Sequence, residues 1–388
     1  MFEEIVGSIE FQLSLLLFVA LAGYLIASKI NQSAIIWEIL VGIAIGPSLF
    51  GLITYTESVR SFAQLGAVVL LFVVGLEFKI KDVFNIKYGI IALIGVIIPW
   101  IGGFLLADFF GYNFVSSVFV GTALTATSIA ITANVLREMG KLQTEAAKAI
   151  IGAAVIDDIL GLLVLSFSMQ VVNDSVSLVP IILIIIEAVV FMVLGAYIGY
   201  VYLSKLIEKF DATKLAEKFP ETVFIFAMMI AFFYAMIAEL IGLSAIVGAF
   251  LAGVALSGVV IKRGKNFKEG AEYLQIIFAS IFFVSLGVLA DFHNLTLQIF
   301  WFLIALIIVA FLTKIIGCYI GARIGRMTHK NSLIVGMGMV PRGEVAMIVA
   351  LIGLNLGVIQ QDIYVSIIFM SILTTIFVPI ILRHFMKA

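Results

Sequence analysis

Thirteen apolar runs, each long enough to cross roughly 30 Å of hydrocarbon, divide this sequence from end to end. They are Phe11–Ser28, Ala34–Ile53, Phe62–Phe78, Ile90–Phe110, Val115–Leu136, Ala146–Gln170, Leu178–Leu203, Val223–Glu239, Ala245–Ile261, Leu274–Leu289, Leu297–Ala322, Leu333–Leu356 and Ile363–Leu382. We number them spans one to thirteen. The runs are continuous instead of alternating with a period of two, which predicts transmembrane α-helices and not a barrel. With 63% hydrophobic and 12% charged residues, the chain carries more apolar surface than a water-soluble domain can bury. Its lipid environment is therefore its first partner. The net charge of -1 gives no basis for nucleic-acid binding. The single cysteine, Cys318, lies inside a run and allows no intramolecular disulfide.

The basic residues check the count of spans. If thirteen is right, alternate connections should collect Lys and Arg on the cytoplasmic side. The connections after odd-numbered spans, with the tail, hold Lys29; Lys79, Lys81 and Lys87; Arg137, Lys141 and Lys148; Lys205, Lys209, Lys214 and Lys218; Lys262, Arg263, Lys265 and Lys268; Arg323, Arg326 and Lys330; and Arg383 and Lys387. The other side holds Arg60. A miscounted helix would scramble this partition. The expected topology is N-terminus outside and C-terminus in the cytoplasm of a cell membrane.

An ionisable residue at the bilayer centre costs about 2.5–3.5 kcal/mol, so it needs a partner or a purpose. Asp158 sits near the middle of span six, "TATS" (Thr125 to Ser128) near the middle of span five, "VPRGE" (Val340 to Glu344) near the middle of span twelve, and Lys314 somewhat past the middle of span eleven. All four share one membrane depth. Spans five and twelve also read as interrupted: hydroxyl residues crowd "GTALTATSIAIT", and glycines flank a proline in "GMGMVPRGE". Broken helices at the midplane can line an ion site with unwound carbonyls and helix ends. Five and twelve are seven spans apart, so they run in opposite directions. That is the arithmetic of an inverted repeat in which spans one to six match eight to thirteen, with span seven as the link.

These residues together carry a resemblance. The chain is similar to the monovalent cation:proton antiporter-2 family, and within it to sodium/proton antiporters with a tandem aspartate. The resemblance covers the whole length, through "LFVVGLEF" in span three, "TATS", "IDD" (Ile156 to Asp158), the mid-helix Lys314 and "PRGE". It implies an all-α polytopic sodium/proton antiporter fold with two crossing broken helices. It also implies a homodimer that exchanges Na+, or Li+ or K+, for H+ by an elevator motion, with no cofactor and no enzymatic activity. Residues 1–86 and 173–295 would form the scaffold, and residues 87–172 and 296–388 the moving core.

Neighbours on an α-helix lie about 100° apart, so Asp157 and Asp158 cannot point at one partner. By the resemblance, Asp158 is the cation ligand and proton carrier, with Thr127 and Ser128 supplying oxygens suited to a hard cation. Asp157 pairs with Lys314 until sodium arrives. Lys314 is then the second proton carrier, which makes the exchange electrogenic. Arg342 and Glu344 are expected to offset each other and the broken-helix dipoles without touching the ion. Glu77 reads as a stabilising acid near the cytoplasmic end of span three.

Rival functions must use the same residues. A potassium/proton antiporter or potassium efflux system shares the fold, but such relatives often have glutamine before the aspartate and a large cytoplasmic domain. An intramembrane aspartyl protease needs its two aspartates on facing helices, which adjacent residues cannot provide. A sodium-coupled organic-solute symporter needs a roomy polar cavity at the midplane.

Overall fold

The computed structural model describes residues 8–30, 33–79, 85–172, 178–261, 267–290 and 297–387, and among these every regular element is a helix. Ten helical stretches are long and apolar enough to cross a membrane, and shorter apolar helices at Ala34–Ile45, Ala245–Leu256 and in span twelve fill the remaining places. The expected thirteen positions are all helical. Of the basic residues that set the topology, Lys81, Lys262, Arg263 and Lys265 lie outside the described residues.

Two spans are shorter than the sequence suggests. Span two is expected to run to Ile53 but ends at Ile45, because Gly46 and Pro47 follow and a proline can neither donate to the ladder nor tolerate a helical residue before it. The chain turns back through Gly51 at φ +60. Span nine, Ala245–Leu256, has the same twelve residues. At 1.5 Å per residue each covers about 18 Å, well under the hydrocarbon thickness. The break between spans eight and nine is real: Glu221–Leu240 closes on Gly242 at φ +81 before Ser244 caps span nine. Span seven is longer than expected, passing from Leu178–Ile198 through a π-helical turn, Gly199–Leu203, into Ser204–Asp211.

Helix pairing repeats with an offset of seven spans. Span one packs on two as eight packs on nine; three packs on nine as ten packs on two; four packs on six as eleven packs on thirteen. Spans four and eleven, self-related under this symmetry, form an extensive pair, as do three and ten. The backbone contacts carry the same mark. A Cβ on Gly42 in span two would lie 2.2 Å from Val284 O in span ten, and one on Gly253 in span nine would lie 2.2 Å from Phe72 O in span three. Only glycine permits either approach. Without a hydrophobic driving force between helices in lipid, such close packing is what holds the spans together.

The pairing separates two groups, spans one to three with eight to ten, and spans four to six with eleven to thirteen. Span seven touches both, at spans six and nine. The groups also meet where the end of span five and span thirteen lie against spans two and three.

Candidate functional site

Both broken spans open at the same depth. Span five is Phe114–Thr125 and Ile129–Glu138, with Ala126 extended at ψ 141 between them. Span twelve is His329–Gly338 and Glu344–Asn355, interrupted by Met339 to Gly343. The two breaks are tied together by their own backbone. Ser128 N–H donates to Pro341 O at 2.8 Å, Thr127 Oγ1 donates to Met339 O at 3.3 Å, and Thr132 Oγ1 donates to Gly338 O at 2.7 Å. Gly343 makes the crossing possible, since a Cβ there would fall 2.7 Å from Ser128 Oγ.

A helix that stops inside a membrane leaves carbonyls without partners and the negative end of its dipole exposed. Two buried cations answer both needs. Lys314 Nζ donates to Thr125 O at 2.8 Å, and Arg342 Nη1 donates to Ala126 O at 2.7 Å and to Met339 O at 3.4 Å. Both residues are wholly buried. Arg342 thus donates to carbonyls at the broken ends of both spans. Glu344 begins the second half of span twelve, but its side chain lies outside what the structure describes. Arg342 is held in turn by span thirteen, whose Thr374 Oγ1 accepts from its N–H at 3.1 Å and whose Thr375 Oγ1 donates to its carbonyl at 3.0 Å. Sequence reasoning missed this threonine pair. The available signal was two adjacent hydroxyls in the apolar "SILTTIF".

The two aspartates point apart, as the 100° step requires. Asp157 is buried, and its Oδ1 accepts from Lys314 Nζ at 2.9 Å in an ion pair with both side chains at 1% exposure or less. Its Oδ2 has no hydrogen-bond partner among the described residues. Asp158 is half-buried and lines two spaces. One is a pocket of about 10 Å³, shared with Thr127, Ser128, Gly343 and Ser244. The other is a cavity of about 250 Å³ that also reaches Tyr55, Arg60, Gln64 and Glu239. Ser128 Oγ is buried at 6% exposure and has no hydrogen-bond partner among the described residues. Asp158, Thr127 and Ser128 therefore meet at one pocket, and Asp157, Lys314 and Arg342 form its buried backing.

The opposite end of the molecule carries a network of ion pairs and hydrogen bonds. Arg60 and Glu77 stand near the two ends of span three, so the cavity and the Glu77 region lie on opposite faces. There Arg137 meets Glu77 at 3.5 Å, Glu272 at 3.3 Å and Gln275 through its Nη1. Its neighbour Glu138 accepts from Ser33 Oγ and Arg383 Nη2, each at 2.7 Å. Glu77, expected as a stabilising acid, is paired with Arg137. The network around Arg137 has no sequence signature, because its members come from distant connections.

Comparison with known proteins decides the family. Residues 15–388 match the family described as "Sodium/hydrogen exchanger, transmembrane". The chain belongs to the sodium/hydrogen exchanger family. Among its relatives, the Na(+)/H(+)-K(+) antiporter GerN of Bacillus cereus is 35% identical over 378 residues, covering 96% of this chain and 95% of that one. An Na(+)/H(+) antiporter of Enterococcus hirae is 35% identical over 383 residues, covering 97% of each. The sodium proton antiporter MjNhaP1 of Methanocaldococcus jannaschii, at pH 8, has a similar fold, with TM-score 0.67, 18% identity, and coverage of 97% of this chain and 95% of that one. This exchanger is therefore a multi-pass membrane protein of the antiporter fold.

Proposed function

We propose that this exchanger trades Na+, or Li+, for H+ across the cell membrane, with Asp158 as cation ligand and proton carrier. The observation that carries the reading is the pocket lined by Asp158, Thr127 and Ser128, whose Oγ has no hydrogen-bond partner among the described residues. A hard cation wants oxygen donors, and the pocket offers carboxylate and hydroxyl oxygens. Its volume of about 10 Å³ is that of one water-sized occupant. A proton and a cation exclude each other from one carboxylate, and this competition couples their fluxes. The reading is of a transporter and not an enzyme, in line with the printed names of the relatives.

Lys314 gives the exchange its second proton. Paired with Asp157 it is a compensated buried charge, and an uncompensated one is expensive. A cation arriving at Asp158 draws Asp157 away, and Lys314 then releases its proton. Two protons per sodium make the cycle electrogenic. Access alternates as the group of spans four to six and eleven to thirteen (87–172 and 296–388) moves as an elevator against a dimeric scaffold (1–86 and 173–295). With the N-terminus outside, the cavity beside Asp158 opens outward and the Arg137 network closes the cytoplasmic side. Potassium as a cargo is the second reading, since the GerN relative is named for Na(+), H(+) and K(+).

Proteoliposomes with a proton-sensitive dye test the assignment, with Na+, Li+ and K+ added in turn. Asp158→Asn keeps the volume and removes the exchangeable charge, so cation-driven proton movement is lost while the protein still inserts and purifies. Exchange by this variant near the parent rate would move the site elsewhere. A dye response to K+ alone would reassign the cargo.

A further inference from the structure

The pocket at Asp158 is built by two groups of helices. Asp158, Thr127, Ser128 and Gly343 belong to the spans proposed to move, whereas Ser244 and Ile246 belong to the first turn of span nine, in the scaffold. Ser244 is the N-cap of that helix, its Oγ accepting from Ile246 N–H at 3.3 Å. A hydroxyl oxygen has two lone pairs, so one remains for a cation. The twelve residues Ala245–Leu256 are all buried. Ser128 lines the same pocket, and its buried Oγ has no hydrogen-bond partner among the described residues, a state that is costly unless a ligand uses it.

Span two is the inverted-repeat counterpart of span nine, and the correspondence extends to single residues. Ser33-Ala34-Ile35 matches Ser244-Ala245-Ile246, and Leu40, Gly42 and Ala44 match Leu251, Gly253 and Ala255 at the same offsets. Each serine stands at the N-cap position of a helix of twelve residues, although only the Ser244 side chain makes a cap hydrogen bond, and each glycine makes the equivalent close approach. Ser33 also touches a span proposed to move, but at the other end: its Oγ donates to Glu138 Oε2 at 2.7 Å. Ser128 and Glu138 bracket the second half of span five, Ile129–Glu138. That half-helix is about 15 Å long and lies between the two serines. Sliding it along its axis brings the pocket away from one serine and toward the other.

We propose that Ser244 is a cation-binding residue that lends a scaffold oxygen to the cation at Asp158 in the state described, and that Ser33 lends it in the oppositely open state. This rests on Asp158 being the ion site. Each serine sets cation affinity on one face of the membrane only.

The test is Na+-driven proton movement in right-side-out and inside-out vesicles. Ser244→Gly removes the hydroxyl yet leaves a residue that caps helices nearly as well as serine, so a loss of capping cannot mimic a loss of ligation. It should raise the half-saturating Na+ concentration about fivefold on the face to which the cavity opens, the scale of one weak ligand contact, with the opposite face unchanged. Ser33→Gly should do the reverse, and Ser244→Thr should restore the parent values. Parent affinity on both faces of Ser244→Gly, or an equal loss on both, overturns the proposal. If Ser244→Gly does not fold, Ser244→Cys in a Cys318→Ala background answers instead: Na+ should slow its reaction with an impermeant thiol reagent, and a rate indifferent to Na+ also overturns the proposal. A parent protein that moves no protons on Na+ addition would fail the functional reading itself, whereas an active parent with an unaltered Ser244→Gly fails this inference alone.

Discussion

At the scale of single residues, the site divides labour between neighbours that differ only in direction. Asp157 faces Lys314 in a buried pair at 2.9 Å, and Asp158 faces the pocket. Under the proposed cycle, Lys314→Gln keeps length and hydrogen-bonding capacity but carries no proton. One exchangeable proton then remains, and exchange becomes electroneutral. Sodium-driven proton flux under an imposed membrane potential measures this, and a glutamine variant that responds to voltage like its parent would reduce Lys314 to packing. Asp157→Asn separates the two aspartates from the other side. It leaves Lys314 a buried charge without its partner, so it should lower stability by about 3–5 kcal/mol, the cost of breaking a buried pair, and thermal unfolding in detergent reads the loss.

At the scale of elements, the interesting helices are the ones that fail to be ordinary. Spans five and twelve stop halfway because their carbonyl ends have cations to meet, Lys314 and Arg342, and because Ser128 and Pro341 bond across the gap. Span two stops early ahead of Gly46 and Pro47, and span nine starts at the Ser244 cap. Their packing depends on missing side chains. Gly253→Ala should destabilise the protein by about 1–3 kcal/mol, since its Cβ meets the backbone of Phe72 and not a yielding side-chain tip. Gly89→Ala is the matched control: nothing lies within 4 Å of its Cβ, and alanine favours a helix. Detergent melting curves of the two variants should shift in opposite directions, or the second not at all. Equal losses would remove close backbone packing as the cause.

At the scale of the whole molecule, an open cavity at one end of span three is set against an ionic latch at the other. The latch joins residues from the ends of spans three, five and ten, and so spans the boundary between the two packed groups. Its ion pairs are partly exposed, with side chains 24–37% accessible, so each contributes no more than about 1 kcal/mol. Even that is enough to shift a two-state population about fivefold. Arg137→Ala should therefore favour the oppositely open state. Labelling of Gln64→Cys, on the cavity wall, by an impermeant thiol reagent should slow several-fold in the Arg137→Ala background. Unchanged labelling would mean that the latch does not hold this state.

The sequence alone was enough to predict the spans and the two breaks, because lipid punishes each error separately. A missed crossing scrambles the basic connections, and a charge at the midplane demands a reason. These are local penalties, legible one segment at a time. It left span two too long, since an apolar run does not reveal that Gly46 and Pro47 turn the chain before the membrane is crossed. Thr374 and Thr375 holding Arg342, Ser244 beside Asp158, and Arg137 among Glu77, Glu272 and Gln275 were decided only by the tertiary structure. Each brings together residues more than thirty positions apart, on helices whose facing sides are set by glycine packing and not by any periodicity along the chain. In a membrane all sides of a helix can be apolar, so hydropathy indicates that a segment crosses but not which face it turns to its neighbours.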